Sequence, residues 1–258
     1  LAVPPADFVL HNSLFLIAHF HNVIIGGVVF GLLAGINFWF PKAFGYKLNE
    51  FWGKVSFWCW LIGFWIAFTP LYILGLMGVT RRVSHFDDAS LQIWFVVAAV
   101  GVAIIAAGIG AFILQLIVSF FQRDKNRDIT GDAWGSGRTL EWATSSPPPV
   151  YNFAKTPVVH DIDAWWDMKK HGYQRPTSGF EDLHMPKNTG AGFVISMIAM
   201  VLGFALIWHI WWLAIVSFAG VILATIVHTF NYNRDYYIPA SEVQATEDAR
   251  TEQLARHG

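Results

Sequence analysis

The sequence has one cysteine, Cys59, in 258 residues, and it sits inside an apolar run. A lone cysteine closes no internal disulfide and makes no paired-cysteine motif for attaching a metal or cofactor; Cys59 reads as a small buried apolar residue. Charge is scarce as well. Charged residues are 14% of the chain, against roughly 25% in soluble domains. Lys and Arg number 17, Asp and Glu 18, for a net charge of -1, so there is no basic excess and no nucleic-acid partner is expected. The start at Leu1 shows no signal-peptide pattern of basic, apolar and small-residue regions, and it reads as the middle of a longer polypeptide. What the chain does have is 55% apolar residues, 13 Trp and 22 Phe. That balance points to a bilayer as solvent.

A hydrocarbon core about 30 Å thick takes about 20 apolar residues of helix to cross. Five stretches qualify: residues 13–40, stopped by Pro41; 55–77, with Pro70 as a kink; 91–122; 191–208; and 213–230. The expected fold is therefore all-α, a polytopic transmembrane helical bundle with five spans. Residues 1–8, with Pro4 and Pro5, read as a loop. The organisation reads as a three-span core over 1–122, a polar connection over 123–190 with Pro147, Pro148 and Pro149 in its middle, two added spans over 191–231, and a charged, mobile tail over 232–258. Basic residues favour the cytoplasmic side. Lys42, Lys47 and Lys54 lie beyond the first span, Arg123, Lys125 and Arg127 beyond the third, and Arg234 beyond the fifth. All fall on one side, which places the long connection and the C-terminus in the cytoplasm. Arg81 and Arg82 break this rule at the outer end of the second span, where a bound anion would account for them.

Ionisable groups inside a membrane are costly and mark function. His11, His19 and His21 lie near the outer end of the first span. Two positions on a helix are about 200° apart around its axis, so His19 and His21 point to nearly opposite faces. They are poorly placed to share a zinc ion, which prefers histidines four apart. Each can instead reach its own cofactor, and imidazole is a good axial ligand for haem iron. On spacing alone, hydrogen-bonded packing is the commoner role of such histidines, and a proton relay in a transporter also fits. The arginines favour haem, because an Arg fork matches a propionate carboxylate with two parallel hydrogen bonds.

The run His11–Asn22 containing Ala18-His19-Phe20-His21 resembles the tenth helix of subunit I of the haem-copper terminal oxidases. Further resemblances follow in family order. They are Trp39-Phe40-Pro41 with Gly45-Tyr46-Lys47-Leu48-Asn49, then Gly75-Leu76 with Gly78-Val79 and Arg81-Arg82, then Leu140-Glu141-Trp142 before the triple proline. By this resemblance the first three spans are the tenth to twelfth helices of the common core. It implies that His19 is the axial ligand of the high-spin haem, where oxygen binds, and His21 one of two axial ligands of the low-spin haem. It also implies that Arg81 and Arg82 hold haem propionates, and that His11 lies near the propionate of the high-spin haem. Many members that oxidise cytochrome c carry Asp after the residue matching His11, where the pair helps hold magnesium; Asn12 argues against that ion here. Asn12 and the two added spans point instead to the ubiquinol-oxidising members of bacterial inner membranes.

The implied cofactors are thus a high-spin haem of the o type, a low-spin haem b, and copper held by residues outside this chain. The implied partners are the rest of subunit I, other oxidase subunits, ubiquinol, oxygen and membrane lipid. The copper histidines, the cross-linked tyrosine, the second low-spin ligand and the main proton channels belong to earlier helices of the family. His160, His171 and His184 read as surface residues, His228 as an interface residue, and Phe20 as packing. A cytochrome c oxidase fragment, a di-haem electron carrier and a haem-free transporter with a histidine proton relay are the competing readings.

Overall fold

The computed structural model describes residues 1–82 and 84–256. Two compact units emerge: Leu1–Val150 with Val158–Tyr173, and Tyr151–Pro157 with Gln174–Arg256. Each carries its own membrane helices.

In the first unit, the first span is one unbroken helical segment, Leu14–Phe44. Ser13 caps it: its backbone is extended and its Oγ accepts the Phe15 N–H at 3.2 Å. The α-helix Leu14–Val23 passes into a π-helix, Ile24–Val29, and returns to α over Phe30–Phe44. The expected stop at Pro41 is not the end. Proline lacks one donor, but the helix runs on to Phe44 and ends where Gly45 turns left-handed, φ 81°. Glycine adopts that conformation without penalty, and a Cβ there would lie 3.0 Å from the Ser146 carbonyl oxygen and from Pro147.

The second span, Glu50–Leu76, begins five residues before the expected start because Asn49 caps it, its Oδ1 accepting the Trp52 N–H at 3.2 Å. The third is the α-helix Gln92–Phe121, entered through a short 3-10 turn, Ala89–Leu91. Spans two and three pack backbone to backbone. A Cβ on Gly101 would stand 2.2 Å from the Ala67 nitrogen, and one on Gly63 would stand 2.8 Å from the Ile105 nitrogen. Ser56 Oγ donates to the Gly108 carbonyl at 2.9 Å across the same seam. In lipid, where hydrophobic burial drives little helix association, small residues of this kind permit the close contact that holds helices together.

At one end of the unit, Tyr46 bridges to Arg127, the Lys47 N–H donates to the Asn126 carbonyl, and the Asp128 N–H donates to that of Gly45. Lys42, expected as one of the surface charges that set orientation, is instead buried. Its Nζ donates to the carbonyls of Gly131 (2.7 Å), Thr144 (2.9 Å) and Ser145 (3.1 Å), tying the connection to the end of the first span.

Further along the connection, Asp132 accepts from the Gly137 N–H, from Trp165 Nε1 and from Lys169 Nζ. Burial pushes its carboxyl upward, but the Lys169 ammonium and the other donors outweigh it and hold the pKa below the ordinary 3.8. A carboxyl depressed in the fold stabilises that fold above its unfolded pKa, and the contribution is lost as pH falls through the folded value. Hydrogen exchange should therefore show the Gly137 amide opening as pH drops below about 4. Asp132→Asn should flatten that dependence and weaken the segment by about 1–3 kcal/mol, the cost of unpairing groups bonded to a charge.

In the second unit, the helices Ala191–Ile207 and Trp211–Thr229 form a tight hairpin. Four helices of the described chain are long and apolar enough to cross a membrane; Ala191–Ile207, at 17 residues, is the shorter fifth, at the lower limit for a span. Trp208, Trp211 and Trp212 are exposed at the turn, the position where tryptophans anchor a lipid–water boundary. The tail expected to be mobile is ordered: Asp235–Ile238 pairs antiparallel with Leu183–Pro186, and Ala240–Ala255 is helical. Ile238 and Val243 are buried under it. Tyr151 donates to Glu247 at 3.1 Å, and burial, then the Glu247 charge, push its phenol up to about 12. At the start of the chain, the expected loop is a short helix, Pro4–Leu10; a proline at the first helical position lacks only a donor that would have had no partner.

Candidate haem-ligand site

The start of the first span is sewn to the end of the second. The Leu14 N–H donates to the Val79 carbonyl at 2.9 Å, Ser13 bridges to Thr80, and the Arg81 N–H donates to the Asn12 carbonyl at 3.0 Å. Gly75 makes this approach possible, because a Cβ there would fall 2.1 Å from the Phe15 nitrogen. The histidines of the first span and the arginines after the second are thus at one end of the unit.

His21 is held on two sides. Its ring stacks on Phe20 (centroids 4.3 Å apart, planes at 29°) and on Phe68 of the second span (4.8 Å, 22°). Its Nδ1 lies 2.8 Å from the Ile17 carbonyl oxygen. A carbonyl only accepts, so Nδ1 carries the proton and Nε2 keeps its lone pair. That is the arrangement of a ligating imidazole, whose second nitrogen bonds a backbone carbonyl that fixes tautomer and ring orientation. His19 is half-buried and makes no hydrogen bond or ring contact with any described residue. Val23, one turn further along the same face of the helix, is exposed. One imidazole packed against the second span, and one about 200° away around the helix without a partner among the described residues, suit two separate groups better than one shared ion. No cluster of three or more His, Cys, Asp or Glu that could hold a metal ion occurs among the described residues. On this geometry the two histidines fit haem, and each would offer it a single nitrogen.

The arginines differ from each other. Arg81 is half-buried and its Nε and Nη2 both donate to Asn12 Oδ1, at 3.1 and 2.8 Å. Arg82 takes a left-handed backbone, φ 67°, is exposed, and has no hydrogen-bond partner among the described residues. His11 is also exposed and pairs with Asp7, Nδ1 to Oδ2 3.2 Å; no bond joins it to either arginine. Two participants escaped the sequence reading. Phe68 lies 47 positions from His21 and carries no local signal. The Asn12 contact needed the loop pairing to become visible.

The chain belongs to the cytochrome c and quinol oxidase polypeptide I family, whose model matches residues 1–122. It is thereby a multi-pass membrane chain of a family that works with haem and copper. It is similar over its whole length, at 51% identity, to a cytochrome bo(3) ubiquinol oxidase subunit 1 of Buchnera aphidicola. It is 52% identical over 98% of its length to the ubiquinol oxidase subunit 1 of Acetobacter aceti. It is 51% identical over 94% of its length to a probable cytochrome c oxidase subunit 1 of Bradyrhizobium diazoefficiens. The chain spans only 37–39% of the length of these curated relatives. The match to the Bradyrhizobium protein covers 247 residues and so takes in both added spans.

Proposed function

We propose that this chain is part of subunit I of a proton-pumping terminal oxidase that oxidises ubiquinol and reduces oxygen to water, with His19 an axial ligand of the high-spin haem and His21 of the low-spin haem. The observation that carries this reading is His21. Its Nδ1–H is fixed to the Ile17 carbonyl and its Nε2 is left free, two residues from an imidazole with no protein partner among the described residues. When bound, the haems supply one-electron transfer and an open iron for oxygen. The protein's part is to hold each imidazole in one tautomer and orientation, and to offer Arg81 and Arg82 to the propionates. His11, one residue before Asn12, is assigned to the high-spin propionate region. The high-spin haem is assigned as haem o and the low-spin haem as haem b. Copper and the second low-spin ligand come from the rest of the subunit.

The same reading sets the topology. Lys47, Lys54, Arg123 and Lys125 gather at the end of the first unit opposite His11 and Arg81, and the positive-inside rule assigns that end to the cytoplasm. Residues 1–122 are then the haem-binding core, 123–190 a cytoplasmic connection, 191–231 two further spans, and 232–258 a cytoplasmic tail of a bacterial inner-membrane protein.

The donor assignment rests on Asn12 and the two added spans. The Bradyrhizobium relative supports a second reading, with cytochrome c as donor. Cyanide-sensitive oxygen uptake by the purified complex should proceed with ubiquinol and fail with reduced cytochrome c. Turnover with cytochrome c alone would overturn the donor assignment and leave the haem assignments standing.

A further inference from the structure

We infer that Asn12 is the positioning residue for Arg81, holding one edge of its guanidinium so that the other edge faces a carboxylate from outside the chain. The inference rests on the reading of Arg81 as a propionate partner. A guanidinium carries five N–H donors in a rigid fork. Asn12 Oδ1 takes the Nε donor at 3.1 Å and one Nη2 donor at 2.8 Å, which uses up the side edge. Three donors remain, and one on Nη1 with the second on Nη2 forms the end edge, which can grip a carboxylate bidentately. No described residue occupies it.

The clamp is doubled through the backbone. Asn12 sits in the left-handed region, φ 57°, which asparagine tolerates better than most residues. Its carbonyl there accepts the Arg81 N–H at 3.0 Å, while the Ser13–Thr80 bridge fixes the next pair along. Backbone and side chain of one residue thus hold backbone and side chain of the other.

The chemistry favours an amide at this position. A neutral acceptor orients the guanidinium and leaves its full positive charge for the external carboxylate. An aspartate would orient it equally well but cancel much of that charge. Two N–H groups also fill both lone pairs of the amide oxygen, so it has none left for a metal ion.

The test uses the purified complex carrying N12G, N12D or R81A, read by haem midpoint potentials and by carboxylate bands in reduced-minus-oxidised infrared difference spectra. N12G keeps the left-handed backbone and removes only the acceptor. It should lower a haem potential by the equivalent of about tenfold in the oxidation equilibrium, about 59 mV for one electron, and shift the carboxylate bands. N12D should restore the band positions, because the acceptor returns, while the potential stays low because a negative charge has been added. Wild-type potentials and bands in N12G, with R81A shifting both, would sink the role of Asn12 and leave the propionate reading intact. No response to R81A would remove the propionate reading itself, and with it this inference, whatever N12G does.

Discussion

His21→Ala strips the low-spin haem absorbance from the complex, whereas His19→Ala abolishes oxygen reduction and carbon monoxide binding while the low-spin spectrum persists. This split is the expected result because the two imidazoles lie about 200° apart around the helix and meet different surroundings. His21 packs on Phe68 of the second span and is tied to Ile17; His19 touches neither. Loss of an axial ligand removes the bond itself, so each effect should exceed the 10–100-fold typical of altering a group one shell out. Phe68→Ala supplies that milder comparison. It removes one stacking face from His21, keeps the Ile17 bond, and should broaden or shift the low-spin spectrum without abolishing it. A di-haem carrier would lack the carbon monoxide response in the unmutated complex. A histidine-relay transporter would show no haem spectrum to lose. Unchanged spectra in both alanine variants would defeat the ligand assignment.

Much of the first unit was legible because a bilayer imposes a simple rule on sequence: a span must be apolar for about 20 residues. Residues near 13–40, 55–77 and 91–122 obey it, and the helices lie there. The boundaries were less legible because caps, not hydropathy, set them. Pro41 looks like a stop, yet Gly45 is the residue whose conformation ends the helix. Glu50 looks like loop, yet Asn49 begins the helix by capping it. Lys42 shows the limit of counting charges: three backbone carbonyls from a segment about 90–100 residues away satisfy its ammonium, and no local pattern announces them. The tail escaped for a related reason. Ala240–Ala255 is polar almost throughout and buries Val243 alone among its residues, so it has no apolar stripe to read. The His19–His21 pair was visible as spacing, but the tautomer of His21 was not, because it depends on where the ring lies against Ile17.

Gly75→Val should cost the complex both haem signals although residue 75 touches neither histidine. A Cβ at this position would lie 2.1 Å from the Phe15 nitrogen and 2.5 Å from its Cα. Those are backbone atoms and have no rotamer by which to withdraw. To reach ordinary contact near 3.4 Å, the first and second spans must part by more than 1 Å. The cost falls at the seam that fixes the site. The Leu14–Val79 and Asn12–Arg81 backbone bonds, 2.9 and 3.0 Å long, stretch first. Next is the register of His21 against Phe68, which sits seven positions before Gly75 on the second span. Misplacement on the order of 1 Å is enough to cost about 100-fold where geometry governs function. Gly75→Ala should already be severe, since the clash belongs to the Cβ alone. Gly110→Ala is the control: nothing described lies within 4 Å of its Cβ, and alanine in place of glycine gains about 1 kcal/mol of helix propensity. Haem content per subunit, from the reduced spectrum of purified complex, should fall at least about tenfold in the residue-75 variants and stay unchanged at residue 110. Full haem content in Gly75→Ala would mean that the two spans can separate without disturbing the imidazoles, and that the close approach at Phe15 does not set the site.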